Sequence, residues 1–269
     1  MKVLFCGDVV GRSGRKVVLD LLTKLKNKFK IDFIVVNGEN AAHGFGLLPR
    51  MFHEFIQAGA DVVTMGNHTF DKKEIFDSLD KESCLVRPLN YPDGTIGHGF
   101  CIKTAANGKR VAVVQLLGKL FMKQYDNPFA VMEKWLADNA GNYDVLIVDY
   151  HAEASAEKQA FGFFMDGNAA LVIGTHTHVP TGDAKLLPGG TAYMTDAGMC
   201  GDYDSVIGQQ FKGAISRFLD KTKIERLQPS EGEGTFCGAL VEIDDETNKA
   251  VKIEAVRIGP HLANTHTAE

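Results

Sequence analysis

Short apolar runs alternate with segments of helical periodicity along the first third of the chain. The runs predict buried strands, and an apolar residue at every third or fourth position predicts an amphipathic helix. The predicted strands are 3–6, 32–36 and 61–65, and the predicted helices are the segment that ends near Phe29, then 49–58 and 72–79. Such alternation is typical of parallel strands joined by crossover helices.

The pattern changes after Cys84, where β-branched runs appear. Two of these runs, 100–104 and 110–115, flank the Asn107-Gly108 dipeptide, which is a hairpin turn signal. Beyond them, the pattern predicts helices 127–138, 157–164 and 211–219, strands 145–149 and 171–173, and a turn at 244–248. We expect an α/β fold with two facing sheets flanked by helices, as one domain over 1–269 with a frayed tail at 261–269.

Composition narrows the class of protein. With 269 residues and 45% hydrophobic content, the chain can bury one large core or two small ones, and we expect a single domain. Its net charge of -5 gives it no overall positive field of the kind that attracts nucleic acid. The five cysteines are scattered without a Cys-x-x-Cys pair, which favours a reducing compartment. No apolar run approaches the ~20 residues of a membrane span, and the first one is too short for a signal peptide. We expect a cytoplasmic protein that does not enter a membrane.

Five of the apolar strands run directly into polar residues of metal-ligand type. In an open α/β sheet, ligands bind beyond the carboxyl ends of the strands, so these five ends would meet at one place. The candidate ligands at the ends are Asp8, Glu39, Asn40, Asn67, His151, His176 and His178.

Taken singly, most of these residues have a simpler interpretation. Asp8 could cap the following helix, and the pair at 39–40 could form an ordinary polar loop. His151 alone could be a structural histidine with satisfied hydrogen bonds. His176 and His178 favour ligation even by themselves, because residues two apart at a strand end can point to the same side. The joint pattern indicates a site more strongly than any single member.

The ligand set has the chemistry of a hard-to-borderline metal site. It contains carboxylate, amide oxygen and imidazole but no thiolate, which suits Mn, Fe or Zn. If one carboxylate bridges two ions, the seven residues supply four contacts to each ion and leave positions open. Two ions ~3.5 to 4 Å apart can generate a hydroxide at neutral pH and stabilise an in-line displacement on phosphorus.

The motifs resemble those of the calcineurin-like metallophosphoesterases. They occur in the order Gly7-Asp8, Gly38-Glu39-Asn40, Gly66-Asn67-His68, His151 and Gly174-Thr175-His176-Thr177-His178. The resemblance is closest to the YmdB-like branch, because Val10 stands where the wider superfamily carries a histidine and Glu39 where it carries a bridging aspartate. It implies a four-layer α/β/β/α sandwich of two mixed sheets flanked by helices.

The resemblance also implies how the seven candidate ligands are divided between two metal ions. It implies one ion held by Asp8, Glu39, Asn40 and His178, and a second held by Glu39, Asn67, His151 and His176. The ions would be divalent or mixed-valence, with Fe or Mn expected and Zn possible. His68 holds no metal in this scheme, and its position suits a general acid that protonates the leaving alkoxide.

The same resemblance implies a phosphodiesterase. Its substrates would be small phosphodiesters such as 2′,3′- or 3′,5′-cyclic nucleotides, attacked by a hydroxide that bridges the metals, and phosphomonoesters are the close alternative. A homo-oligomer is also expected.

Three other classes stay open on the residues alone. Gly7, Gly11 and Gly14 follow the first strand and open a helix, as in nucleotide-cofactor folds, although this interpretation leaves the three late histidines unexplained. A metal-dependent amidohydrolase would carry its His-x-His motif on the first strand rather than late in the chain. A regulatory protein with structural metals is the third alternative.

Overall fold

Two six-stranded sheets face each other in the computed structural model, which describes residues 1–219 and 226–267. The strands are β1 (Lys2–Cys6), β2 (Asp8–Val9), β3 (Phe33–Asn37), β4 (Val62–Thr64), β5 (Leu85–Val86), β6 (Phe100–Thr104), β7 (Arg110–Leu117), β8 (Val145–His151), β9 (Leu171–Thr175), β10 (Lys185–Leu186), β11 (Ala192–Met194), β12 (Met199–Cys200), β13 (Phe236–Ile243) and β14 (Ala250–Ile258). The helices are α1 (Gly11–Phe29), α2 (Pro49–Gln57), α3 (Phe76–Leu79), α4 (Pro128–Asp138), α5 (Ser155–Phe164) and α6 (Phe211–Leu219).

Both sheets are mixed, with parallel strands at the centre. The first sheet has the order β14-β13-β1-β3-β4-β5, in which β1, β3, β4 and β5 are parallel. The second has the order β10-β11-β9-β8-β7-β6, in which β7, β8, β9 and β11 are parallel. Their carboxyl ends are joined where Asn37 Nδ2, at the end of β3, donates to Asp149 Oδ2 of β8 at 3.0 Å. The parallel strands of the two sheets therefore end at one shared edge.

The strands carry apolar side chains on both faces of each sheet, which explains why the two sheets pack between two helical layers. In β1, Val3 and Phe5 face the core between the sheets, whereas Leu4 and Cys6 face the core under the helices of the first sheet. A third apolar core, which includes Trp135 of α4, lies on the outer face of the second sheet. Successive side chains of a strand point to opposite faces, so strands that are apolar on both faces need a layer on each side. The predicted four-layer α/β/β/α sandwich is confirmed.

The local predictions hold except at short or polar segments. The hairpin across 105–109 is confirmed, since β6 and β7 pair antiparallel. The predicted helix at 72–79 is wrong in part, because Lys73–Ile75 form a 3-10 turn and only α3 is α-helical. The buried Ile75 and Leu79 pack into the same core in either conformation, so the apolar spacing could not distinguish the two.

The described part of the C-terminal segment, 261–267, lies against the first sheet and α1. Residues 261–267 of the predicted tail are described, and 268 and 269 lie outside the described residues. Thr265 N donates to Arg257 O of β14 at 3.0 Å, and Lys28 Nζ of α1 donates to Thr267 O at 3.0 Å. Among the helices of the described residues, none combines the length and apolarity needed to cross a bilayer.

The glycines after β1 serve packing rather than nucleotide binding. A Cβ at Gly7 would come within 1.9 Å of the carbonyl oxygen of Gly198, and a Cβ at Gly14 within 2.2 Å of that of Cys200. Both glycines therefore let the chain approach the segment around β12 closely. This close packing accounts for both glycines without a bound nucleotide.

Candidate metal centre

The shared edge of the two sheets carries all seven candidate ligands. Asp8 lies in β2, which pairs with β12, and so it does not cap α1, whose N-cap position is Val10. His151 is the last residue of β8, because the ladder to β9 continues through its pairing with Thr175. The loops that directly follow β3, β4 and β9 supply the other five residues, Glu39, Asn40, Asn67, His176 and His178.

Three of the candidate ligands surround the Nε2 atom of a fourth, His151. His151 Nε2 lies 2.9 Å from Glu39 Oε1, 2.9 Å from Asn67 Oδ1 and 3.0 Å from His176 Nδ1. His151 and Glu39 are buried, and His176 lies at the boundary with solvent. These are the four residues that the sequence assigned to one ion.

The other candidate ligands form a second group beside the first. Asn40 Nδ2 lies 3.1 Å from both Glu39 Oε1 and His178 Nε2, and His178 Nε2 lies 3.9 Å from Asp8 Oδ1. A half-turn of the Asn40 amide would present its oxygen to the same group. Glu39 Oε1 therefore contacts both groups, so Glu39 is placed to serve each of them.

The donor set fits metal ions by two further observations. Asp8 is fully buried, and its Oδ1 has no hydrogen-bond partner within residues 1–219 and 226–267. A buried carboxylate oxygen without a donor is costly unless a cation lies near it. In addition, a Cβ at Gly66 would lie 2.1 Å from Glu39 Oε2 and 2.7 Å from His151 Nε2, so only glycine lets the backbone after β4 pass this close to the ligands.

The charged groups of the cluster shift one another's pKa values. Burial raises the pKa of Asp8 to about 6, although His178 and His151 oppose this shift. Burial also disfavours ionised Glu39, but His151 outweighs that effect and holds the pKa of the Glu39 carboxyl well below its usual range. Burial, reinforced by the positive charge of His151, lowers the pKa of His176 to about 3. His176 is therefore neutral and Glu39 ionised at neutral pH, which are the forms that bind metal.

A proton and a metal ion would compete for His151. Burial lowers the pKa of this imidazole, yet the charge and hydrogen bond of Glu39 outweigh burial and raise the pKa to about 9. Because a ligating imidazole must be neutral at the ligating nitrogen, metal binding would release this proton.

Hydrogen bonds on the far side of two imidazoles, those of His151 and His178, orient Nε2 of each toward the cluster. Thr175 Oγ1 donates to Asp149 Oδ1 at 2.6 Å, and so it accepts from Nδ1 of His151 at 2.8 Å. His178 Nδ1 donates to the carbonyl oxygen of Ile207 at 2.8 Å. Such partners fix the tautomer of a metal-binding histidine. The roles of Thr175 and Asp149 were not predicted, although both stand in the polar motifs at the ends of β8 and β9.

We expect Thr175→Val to weaken metal binding roughly 10- to 100-fold, the usual cost of losing the hydrogen-bond partner of a metal ligand. Valine keeps the shape of threonine but leaves Nδ1 of His151 without an acceptor. Titration of metal-free protein with Mn²⁺ measures the effect. Thr64→Val is the matched control, since Thr64 Oγ1 donates to the same Asp149 at 2.6 Å without touching His151. Equal affinities for the two variants would contradict the role of Thr175.

The loop after β9 is held in a strained conformation. His176 and His178 have φ angles of 95° and 65°, which non-glycine residues adopt rarely. His176 N donates to Asp8 Oδ2 at 3.2 Å, and Thr177 N donates to Asp196 Oδ2 at 3.1 Å. Lys158 Nζ contacts the same Asp196 oxygen at 2.7 Å and donates to the carbonyl oxygen of Thr175 at 2.7 Å. A buried ion pair therefore anchors the loop that presents both histidines.

Lys158→Met should lower the free energy of unfolding by about 3–5 kcal/mol, because it leaves Asp196 buried without its counter-charge. Both side chains of this pair are 1% exposed. Urea denaturation followed by circular dichroism measures the loss. Lys134→Met removes an exposed pair with Asp138 and should cause no measurable change. A similar small effect for both variants would show that the buried pair is not needed for stability.

His68 lies beside the ligands without belonging to them. Its backbone N donates to Glu39 Oε2 at 3.1 Å, and its Nδ1 lies 2.7 Å from Asp71 Oδ2. The imidazole packs edge-on against Phe45 at a centroid distance of 5.0 Å and borders a cavity of about 400 Å³ that also contacts Glu39 and His178. Asp71 was not predicted, although it follows His68 by three residues. The contact orients the histidine and leaves Nε2 for the cavity.

The protein has the fold of the calcineurin-like phosphoesterases. The fold is shared with a Staphylococcus aureus protein assigned as a 5′-nucleotidase, at a TM-score of 0.58 and 12% identity over 95% of this chain and 54% of the other. At that identity the likeness concerns the fold alone.

Closer relatives identify the family. The family model described as YmdB-like protein matches residues 4–256, and the chain belongs to this family. It is 48% identical over 258 residues to the 2′,3′-cyclic-nucleotide 2′-phosphodiesterase of Bacillus subtilis strain 168, covering 96% of this chain and 97% of the relative. The expectation of a phosphoric diester hydrolase agrees with that relative's name.

Two solved structures of similar proteins have the same fold over nearly their full length. A Thermus thermophilus protein aligns at a TM-score of 0.90 and 38% identity, covering 96% of this chain and 99% of that one. A novel phosphatase of Mycoplasma pneumoniae aligns at a TM-score of 0.89 and 35% identity, covering 96% and 93%. The resemblance to YmdB-like proteins is confirmed.

Proposed function

We propose that the protein is a dinuclear metal-dependent phosphodiesterase that hydrolyses cyclic nucleotides. The observation that carries this proposal is the sharing of Glu39 by two ligand groups, one around His151 Nε2 and one around Asp8 and His178. Asp8, Glu39, Asn40 and His178 would hold one ion, and Glu39, Asn67, His151 and His176 would hold the other. Iron or manganese suits this nitrogen and oxygen set, and zinc is compatible with it.

When bound, the two ions would supply a nucleophile at neutral pH and positive charge for the phosphate. The protein's own residues would exclude water and donate a proton. The buried walls around Glu39 and His151 exclude bulk water from the cluster, which strengthens every charge interaction there. His68 faces the cavity with Nδ1 held by Asp71, so Nε2 is placed to give a proton to the departing alkoxide oxygen.

The site and the names of the relatives support one class of substrate. The net charge of -5 gives no general attraction for phosphates, so recognition of the anion depends on the local positive charge of the metal centre. The name of the Bacillus subtilis relative supports 2′,3′-cyclic nucleotides, and 3′,5′-cyclic nucleotides are the second diester to test. The Mycoplasma pneumoniae relative, a phosphatase, supports phosphomonoesters as the alternative.

Elemental analysis combined with a substrate panel tests the proposal. We expect about two metal ions per chain, loss of activity after chelation, and recovery with Mn²⁺. In the panel, 2′,3′-cyclic AMP should be hydrolysed faster than 2′-AMP or 3′-AMP. Faster hydrolysis of the monoesters would replace the diester proposal by a phosphomonoesterase. Full activity in metal-stripped protein would overturn the mechanism altogether.

We further infer that the protein works in the cytoplasm as a homo-oligomer. All five cysteines are free thiols in the structure, which suits a reducing compartment. The assembly is inferred from the family resemblance, and light scattering of the purified protein tests it. A monomeric mass would remove that inference without affecting the chemistry.

A further inference from the structure

The cavity beside the metal centre has an apolar wall. The apolar residues among those that line it are Phe45, Val179, Ile207 and Leu227. Val179 is 54% exposed and Ile207 is 51% exposed, so both present apolar surface to whatever enters the cavity. An apolar wall would not help to bind a phosphate group alone, because phosphate oxygens interact with positive charges and hydrogen-bond donors.

Ile207 belongs to this apolar wall and also supports the candidate metal centre. Its φ angle is 47°, a conformation that is strained for a β-branched residue. Its carbonyl oxygen accepts the hydrogen bond from His178 Nδ1 at 2.8 Å, so the orientation of a candidate ligand depends on this backbone position. A glycine would adopt the same backbone angle without strain. The isoleucine side chain thus adds apolar surface that the backbone role does not require.

Gln209, two residues later, adds an unused hydrogen-bonding group to the same cavity. Gln209 is among the residues that line the cavity, and it is only 6% exposed. Its Oε1 has no hydrogen-bond partner anywhere in the part of the chain that the structure describes. Its Nε2 lies beside Gly44, where an added Cβ would come within 2.9 Å. A nearly buried carboxamide with an unmet acceptor indicates a ligand that brings its own donor.

We propose that this cavity is a nucleobase subsite, in which Phe45 and Ile207 contact the faces of the base and the Gln209 carboxamide pairs with its edge. The proposal rests on the proposed function, since the scissile phosphate must lie at the metal centre next to the cavity. A planar base has two apolar faces and a polar edge, which is the combination that the wall and the carboxamide provide together. An alkyl group would leave the carboxamide unpaired.

Adenine is the base that we expect to fit best. A carboxamide offers one donor and one acceptor, and glutamine pairs with both N6 and N7 of adenine in this way. A purine also covers more of an aromatic and aliphatic wall than a pyrimidine does. The subsite therefore adds a preference for the base to a metal centre that by itself recognises only the phosphate.

The test compares adenosine 2′,3′-cyclic phosphate with ribose 2′,3′-cyclic phosphate, which lacks the base. For the wild-type enzyme with Mn²⁺, kcat/KM should be roughly 10- to 100-fold higher for the nucleotide, as expected for one stacked base. Gln209→Ala should lower this ratio roughly tenfold, mainly through KM. Phe45→Leu should lower it as well and keeps the test valid if Gln209→Ala does not fold.

Gln210→Ala is the matched control, because this exposed neighbour does not border the cavity and should leave the ratio unchanged. Equal kcat/KM values for the two substrates in the wild type would overturn the subsite. So would variants at positions 45 and 209 that slow both substrates to the same extent. If the wild type hydrolyses neither substrate, the proposed function itself fails, and that result is distinct from the failure of the subsite.

Discussion

His151→Ala should lower the rate of cyclic-nucleotide hydrolysis more than about 100-fold and reduce the metal content by about one ion per chain. Loss of a hydrogen-bond partner of a ligand already costs about 10- to 100-fold, and loss of the ligand itself should cost more. His151 Nε2 is the point on which Glu39, Asn67 and His176 converge within 3.0 Å. Without it, three candidate ligands lose their common neighbour. Elemental analysis and kcat/KM for 2′,3′-cyclic AMP measure the two effects.

His53→Ala is the control for this substitution. His53 lies on α2, is half exposed, and its nearest charged partner is Glu82 at 3.8 Å. This variant should keep both metal ions and the wild-type rate. Because a ligand that binds only the folded state stabilises it, added Mn²⁺ should also raise the Tm of the wild type more than that of His151→Ala. A His151→Ala enzyme with two ions per chain and normal kinetics would show that the cluster is not the metal centre.

His68→Ala should lower kcat for 2′,3′-cyclic AMP roughly 100- to 10,000-fold, the usual range for a general acid, while leaving the metal content intact. His68 contacts no other imidazole of the cluster within the described residues, and its link to Glu39 runs through its backbone N. An alanine keeps that backbone donor. The substitution therefore separates proton transfer from metal binding, and stopped assays with parallel metal analysis can follow both.

A change of leaving group distinguishes a general acid from a residue that only shapes the loop. p-Nitrophenolate is a much weaker base than an alkoxide and leaves without protonation, so His68→Ala should slow bis-p-nitrophenyl phosphate far less than the cyclic nucleotide. Asp71→Asn should show the same selectivity with a smaller loss, because it changes the partner of Nδ1 rather than the acid itself. Equal losses on both substrates would mean that His68 has a structural role.

The sequence by itself determined the layers of the fold and which polar residues lie together at one edge of it. The apolar run Val3-Leu4-Phe5-Cys6 already requires cover on both faces, and it ends directly before Asp8. The same arrangement at four other strands predicted where the polar residues would meet. The pattern and order of the strands were sufficient to predict this meeting point, because parallel strands bring their carboxyl ends to one edge of the sheet.

The sequence could not give the ends of the strands or the small sheet of β2 and β12. The apolar run of β8 ends at 148, but the strand continues to His151 because backbone pairing with β9 does not depend on side-chain polarity. Asp8 is held by a partner that lies 191 positions along the chain, since it pairs with Met199. Hydrogen bonds between such distant segments have no local signature.

Only the tertiary structure decided which atoms join the candidate ligands and which residues support them. Glu39 joins both ligand groups through a single oxygen, Thr175 sets the tautomer of His151, and Gln209 comes to the cavity wall from a late loop. These relations depend on distances of about 3 Å between residues that lie far apart in sequence. Residue type and spacing indicate which side chains are capable of such chemistry, whereas the packing of the two sheets decides which of them meet.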